Sequence, residues 1–194
     1  MEITLRTLDA EAYIPLIPSL SALLKDAVDR GASLGFLPPL SIDEAAAYWY
    51  GIARDVHEGA RCIVVASRSG EIIGVGQLVL PSLAAQRHRA EVQKLCVTFG
   101  ARGQGVGRRL MEALHREAAR RDRSLLVLTT RRDEYPQLFY QNLGYALVGV
   151  IPGYTIDRAG ERYDTAILCR CWPRPADARD LQCEAGRDVG TPAT

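Results

Sequence analysis

Residues 102–107 read Arg-Gly-Gln-Gly-Val-Gly and lead directly into an apolar stripe of Val106, Leu110, Leu114 and Ala118 at helical spacing. Glycine at Gly103, Gly105 and Gly107 removes the Cβ atoms that would hold a ligand away from the main chain. The first amides of a helix have no partner within it and lie at the positive end of the macrodipole. Together these features suit the capture of phosphate oxygens. Each charge-assisted contact contributes about 1.5–3 kcal/mol, against roughly 1 kcal/mol lost by placing a glycine in a helix. Several contacts therefore outweigh the cost. The stretch is not a Walker loop, because Gly105 is followed by Val106-Gly107 where lysine and a hydroxyl residue are needed. It also fails the GxGxxG dinucleotide fingerprint, because Arg108 stands where the third glycine is required. A plain turn flanked by solvated arginines is the alternative that the hexapeptide alone leaves open.

The elements around the loop decide between these readings. "EITLRTL" alternates as a strand, and Asp9 then precedes a helical pattern that runs through "SLSALLKDAVDR" to Gly31. "GASLGFLPPLS" reads as a loop carrying Phe36, and Ser41 with Glu44 has capping-box spacing at the start of a second helix reaching Gly59. "RCIVVAS" and "EIIGVGQLVL" form a hairpin about Ser69-Gly70, and "AEVQKLCV" is a strand ending near Phe99-Gly100. After the glycine loop and its helix, "SLLVLTT" is apolar enough to be a strand covered on both faces. A short helix in "YPQLFYQNL" and two strands, "YALVGVI" and "DTAILCRCW", complete the order β-α-α-β-β-β-α-β-α-β-β. This is one α/β domain with a mixed sheet over residues 1–172, followed by a loosely ordered, proline- and charge-rich tail at 173–194.

Composition narrows the classes of partner. With 47% hydrophobic and 24% charged residues the chain is globular, and a formal net charge of +1 gives no general footprint for nucleic acid or an anionic membrane. The basic helix surface of Arg116, Arg120, Arg121 and Arg123 lacks stacking aromatics, so nucleic acid is not expected as a partner. The five cysteines are odd in number and contain no CxxC pair, and His57, His88 and His115 are scattered. Neither a disulfide framework nor a metal site is expected, and a reducing compartment fits. No basic-then-apolar leader and no membrane-length apolar run is present, so the cytoplasm is the expected location.

With its flanks, "RAEVQKLCVTFGARGQGVGRRLM" resembles the fourth strand and third helix of the GCN5-related N-acetyltransferase (GNAT) family, whose coenzyme A signature has the form [RQ]-x-x-G-x-[GA]. "FYQNLGY" resembles its second motif, and "GASLGFLPPL", "RAEVQKL" and "IPGYTIDRAGERYDTAI" are similar to its tabtoxin resistance acetyltransferase subgroup. The resemblance covers roughly residues 2–172. It implies a mostly antiparallel twisted sheet flanked by helices, acetyl-CoA as cosubstrate, and transfer of acetyl to an amine. It also implies that the main chain of Leu95, Cys96 and Val97 receives the pantetheine arm. The pyrophosphate would then rest on the amides of Arg102, Gly103, Gln104, Gly105, Val106, Gly107 and Arg108. Glu91 is the implied base for the amine, and Tyr140 the implied acid or thiolate stabiliser. Phe36 and Tyr154, each an aromatic near glycine, are either contacts for a small-molecule amine acceptor or packing residues. An amino-acid-like or toxin-like acceptor, a peptide amine, and a non-catalytic acyl-CoA-binding module all remain open. The last is motivated by Thr129, which stands where the subgroup carries an acidic aspartate. Dimers are common in the family, and a homodimer is expected on that ground alone.

Overall fold

The computed structural model describes residues 2–172, and the tail expected at 173–194 lies outside the described residues. Strand β1 (Ile3–Leu8) leads to α1 (Ala10–Asp29), whose first turn is capped by Asp9 accepting from the Ala12 amide. The capping box at Ser41 and Glu44 forms as the spacing predicts and opens α2 (Ile42–Gly51). The second helix does not run on to Gly59. It breaks at Ile52 and resumes as the short α3 (Ala53–His57), because Gly51 weakens the helix and Ile52 turns inward to a buried position.

Strands β2 (Arg61–Arg68), β3 (Glu71–Val79) and β4 (Arg89–Val97) form an antiparallel meander, β4 stopping two residues before Phe99. Then follow α4 (Val106–Arg120), β5 (Leu125–Arg131), α5 (Tyr135–Gln141), β6 (Ala146–Ile156) and β7 (Arg162–Cys171). The sheet order is β1-β2-β3-β4-β5-β7-β6, with β4 and β5 the parallel pair. This is the mixed, mostly antiparallel sheet that the sequence implies. Strand β6 is longer than the sequence suggests. Pro152-Gly153 reads as a terminator, yet the strand continues through a bulge between Ile151 and Thr155. Its edge position explains the tolerance, since proline there forfeits no internal ladder bond.

Two apolar layers sandwich the sheet. On one face α4 packs Leu110, Met111 and Leu114 against Val64, Leu78, Val92 and Leu126. On the other α1 and α2 pack Ile17, Leu24 and Trp49 against Ile63, Val65, Val75 and Cys96. Helix α4 lies so close to β3 that a Cβ at Gly74 or Gly76 would meet Leu110 or Leu114 at 2.9 Å. Those two glycines set the height of α4 over the sheet, and hence where its N-terminus points.

Candidate active site

Strands β4 and β5 pair only at Arg89–Leu125, Ala90–Leu126 and Glu91–Val127. Beyond Glu91 they separate, so the β5-facing main chain of Val92 to Val97 has no strand partner while its other side stays bonded to β3. Polar groups on such an edge need partners, and an extended amide-bearing chain supplies them. Leu95, Cys96 and Val97 lie on this edge, as the resemblance implies. The divergence is sharpened by a bulge: Lys94 and Leu95 together oppose Gly76, and Lys94 takes a left-handed φ of 51°.

The gap runs toward the glycine loop. Gly103 and Gly105 have φ of 73° and 77°, and Gly105 is the cap residue of α4, with no side-chain bond to the helix amides. Residues 102–105 form a turn, and none of the amides from Gly103 to Arg108 makes a hydrogen bond of good geometry among the described residues. Donors are thus available at the N-terminus of α4. The Arg102 amide differs, since it already donates to the Phe99 carbonyl at 3.2 Å. The loop is braced by Gln104, whose Oε1 accepts from Arg68 at 2.6 Å while its Nε2 donates to the Gly100 carbonyl at 2.9 Å. These donors and the open strand edge fit a pyrophosphate joined to a pantetheine arm.

Glu91 begins the divergence and accepts from Gln93 Nε2 at 2.9 Å. Gln93 is itself held by Arg61 and Gln77, each at 3.4 Å, and Gln77 donates to the Tyr48 hydroxyl at 2.5 Å. Because Ala90 and Val92 face α4, Glu91 and Gln93 face the α1–α2 side, away from the glycine-loop helix. Tyr140 projects from α5 into the opposite layer, against Phe139 and Tyr145. Its hydroxyl has no hydrogen bond among the described residues, yet it is not sealed from solvent. Burial, with a smaller contribution from the nearby Cys96, holds the phenol protonated well above its ordinary range. It therefore carries its proton at neutral pH. Burial pushes the Cys96 thiol up to about 12, which makes it an inert core group beside the gap.

On the α1–α2 side a cleft of about 500 Å³ opens between the loop after α1 and the β6–β7 turn. Phe36 lines it from one wall, edge-on to Tyr48 with centroids 5.6 Å apart. Lys94 lies beneath, its ammonium 5.2 Å from the Phe36 ring and 4.9 Å from the Tyr48 ring, donating to the Leu34 carbonyl at 2.6 Å. Burial, then the charge of Arg61, lowers its pKa. Tyr154 does not line the cleft. It stands 59% exposed on β6, while Thr155 and Ile156 form that wall. Thr129 is exposed on β5, and Asp133 is held in the following turn, where its amide donates to Gln137. Among the described residues no cluster of His, Cys, Asp and Glu with metal-binding geometry occurs.

Residues 59–147 match the family model described as an acetyltransferase (GNAT) domain. Residues 59–147, from β2 to the start of β6, are thereby identified as a GNAT acetyltransferase domain. The chain is 36% identical over 101 residues to N-alpha-acetyltransferase 80 of Mus musculus, a stretch covering 52% of this chain and 30% of that relative, so it spans about a third of that relative's length. Among solved structures it is similar to an N-acetyltransferase from Staphylococcus aureus Mu50, with a TM-score of 0.72 and 18% identity over 88% of this chain and 99% of that one. It is also similar to yncA of Salmonella typhimurium, solved with its cofactor acetyl-CoA, with a TM-score of 0.72 and 17% identity over 93% of this chain and 99% of that one. At these identities the structures speak for the fold.

Within and beside this GNAT domain, sequence reasoning missed the polar chain from Tyr48 through Gln77 to Gln93, although a glutamine inside the apolar run "EIIGVGQLVL" was a signal for it. It gave no role to Lys94, although this is one of only two lysines and stands mid-strand. The cleft wall of Arg131 and residues 155–158 is hidden too, because Pro152-Gly153 reads as the end of the strand.

Proposed function

We infer that the chain transfers the acetyl group of acetyl-CoA to the amine of a small molecule. The observation that carries this reading is the strand gap running to the glycine loop and the amides at the N-terminus of α4. Acetyl-CoA supplies the activated thioester. Glu91, directly or through one water, takes a proton from the ammonium form of the acceptor, since most amines are charged at neutral pH. The neutral amine adds to the thioester carbonyl, the C–S bond breaks, Tyr140 gives its proton to the departing thiolate, and the proton shed by the acetylated nitrogen restores the phenol through water. A cleft of about 500 Å³ suits a small acceptor. The likeness of "GASLGFLPPL" and "IPGYTIDRAGERYDTAI" to the tabtoxin resistance subgroup favours an amino-acid-like or toxin-like compound. Thr129, in place of that subgroup's aspartate, leaves the proton transfer to Glu91, because a threonine hydroxyl is no base at neutral pH. Cys62 and Cys96 are buried thiols outside any disulfide, in keeping with a cytoplasmic setting.

A second reading, acetylation of a peptide N-terminus, is favoured by the name of the mouse relative. Thiol release from acetyl-CoA, measured against panels of small amines and of peptides, separates the two. Glu91→Gln should lower kcat on the accepted class by about 10²-fold while leaving acetyl-CoA affinity in place. Acetyl-CoA binding with no acceptor-dependent release from either panel would instead favour a non-catalytic acyl-CoA module.

A further inference from the structure

The cleft that receives the amine is walled by arginines, an unexpected lining for a substrate that arrives as a cation. Leu126 and Leu128 of β5 face the α4 layer, so Val127, Thr129 and Arg131 face the α1–α2 side together with Glu91. Val127 is the register partner of Glu91. Arg131 follows about 13 Å further along the strand at about 3.3 Å per residue. The Arg131 side chain is largely buried on the cleft wall, with its guanidinium stacked 4.1 Å from the Tyr163 ring centroid. Its Nε is buried without a hydrogen-bond partner, and among the described residues its carboxylate contact, Glu134, is long at 3.5 Å.

Arg158 lines the same cleft from the exposed β6–β7 turn. Asp157, the one acidic lining residue among those described, is held mainly in its own turn, with Arg131 contributing a smaller attraction. Its Oδ1 accepts from the amides of Ala159 and Glu161 at 2.8 and 3.0 Å, and its Oδ2 from the Tyr163 hydroxyl at 3.1 Å. Lys94 adds a further cation under Phe36. Cationic groups on the wall repel a simple alkylamine or polyamine and reward an acceptor with an anionic group near its amine. A planar guanidinium held against an aromatic ring on the cleft wall is shaped for a carboxylate.

We propose that the acceptor is a carboxylate-bearing small amine, an amino acid or a close analogue, whose carboxylate is held by Arg131 with help from Arg158 while its amine is presented toward Glu91. This rests on the acetyltransferase reading above and names the substrate class for it. The ionic group sets orientation, and the walls of Phe36, Leu37 and Ile156 accept the remaining side chain.

The test uses the full chain with acetyl-CoA and pairs of probes: common α-amino acids, each beside the amine it would give on decarboxylation, plus short peptides. Binding to the coenzyme A-loaded protein and thiol release are both measured. At least one amino acid should bind and turn over with a kcat/KM at least about tenfold above its decarboxylated partner, the scale of one charge-assisted hydrogen bond. Arg131→Gln should abolish that preference through KM while leaving acetyl-CoA affinity unchanged. Arg158→Gln, on a turn where folding is not at stake, should reduce the preference by a smaller factor. Equal or better use of the decarboxylated amines overturns the proposal, as does preference for a peptide amine. Retention of the preference in Arg131→Gln, or the absence of any carboxylate-dependent binding or turnover, overturns it too. Failure of acetyl-CoA itself to bind would instead remove the reading beneath it.

Discussion

Replacing Gly105 by glutamate is the sharpest perturbation of the coenzyme A site, because the structure separates its two costs. A Cβ built on Gly105 meets no atom within 4 Å, so the new side chain has room and projects from the loop. The conformational cost remains: φ is 77°, and a non-glycine residue in the left-handed region costs about 1–2 kcal/mol. For a domain of this size that lowers Tm by about 2–8 °C. The second cost falls on binding. A carboxylate about 6 Å from a phosphate charge, at an effective dielectric constant of about 20, is repelled by roughly 3 kcal/mol per unit charge. That is about two orders of magnitude in Kd, before any loss of amide contacts. Gly105→Ala carries the conformational cost and the bulk of one Cβ without the charge, and is the control. Calorimetric titration of acetyl-CoA into both variants, with unfolding followed in parallel, should find the alanine variant within about tenfold of wild type. The glutamate variant should be weaker by about 10²-fold or more, with part of the loss recovered at high salt. A folded glutamate variant that binds acetyl-CoA as wild type does would refute the assignment of these amides to the pyrophosphate.

Tyr140→Phe removes a hydroxyl that has no hydrogen bond among the described residues, so it should leave Tm nearly unchanged. It should lower kcat by about 10²-fold with little change in acetyl-CoA affinity, and equal turnover would return Tyr140 to a packing role. Lys94→Met keeps the stem but loses the bond to the Leu34 carbonyl and the cation beneath Phe36 and Tyr48. Acceptor KM should rise by about tenfold, the scale of one charge-assisted bond, while acetyl-CoA Kd holds, which steady-state kinetics and calorimetry resolve separately. His115 is lowered to about 4 by burial, then by Arg170 and Arg116, and its ring lies 3.0 Å from the Tyr145 hydroxyl. A depressed histidine pKa means that the folded state disfavours the proton. The contribution of this group is thus complete above the ordinary histidine value and is lost as pH falls toward about 4. Discounted for the group's partial exposure, the loss is about 1–2 kcal/mol. Denaturant midpoints measured across that window should show the loss in wild type and a flatter profile in His115→Gln.

What could be read from the sequence was what depends on local spacing. The glycine run, the capping box at Ser41 and Glu44, and the hairpin at Ser69-Gly70 are each set by residues within one turn of one another, and each forms as its pattern implies. The features that escaped depend on tertiary context. Pro152-Gly153 ends a strand by propensity, but at a sheet edge it only bulges one. That error hid the Thr155–Arg158 wall of the cleft. Ile52 breaks a helix that composition favours, because it is buried. Gln77 and Gln93 are ordinary strand residues until the fold sets them beside Tyr48 and Glu91.

One extra residue in β4 ties these parts together. Before the bulge, Ala90 and Val92 face α4, and Glu91 and Gln93 face the α1–α2 side. After it the alternation is reversed: Leu95 and Val97 pack toward α4, and Cys96 joins the layer of α1 and α2. A strand that kept its period could present Glu91 to the acceptor side or bury Cys96 on that side, but a regular strand from 91 to 96 could not do both. The shift also places Lys94 at a left-handed φ under Phe36, and it falls where β4 has lost its pairing with β5. Gly76 allows it, since a Cβ there would lie 3.1 Å from the Leu95 side chain and 2.9 Å from Leu114. One irregularity therefore sets two facings at once, that of Lys94 beneath Phe36 and that of the unpaired strand edge from Leu95 to Val97.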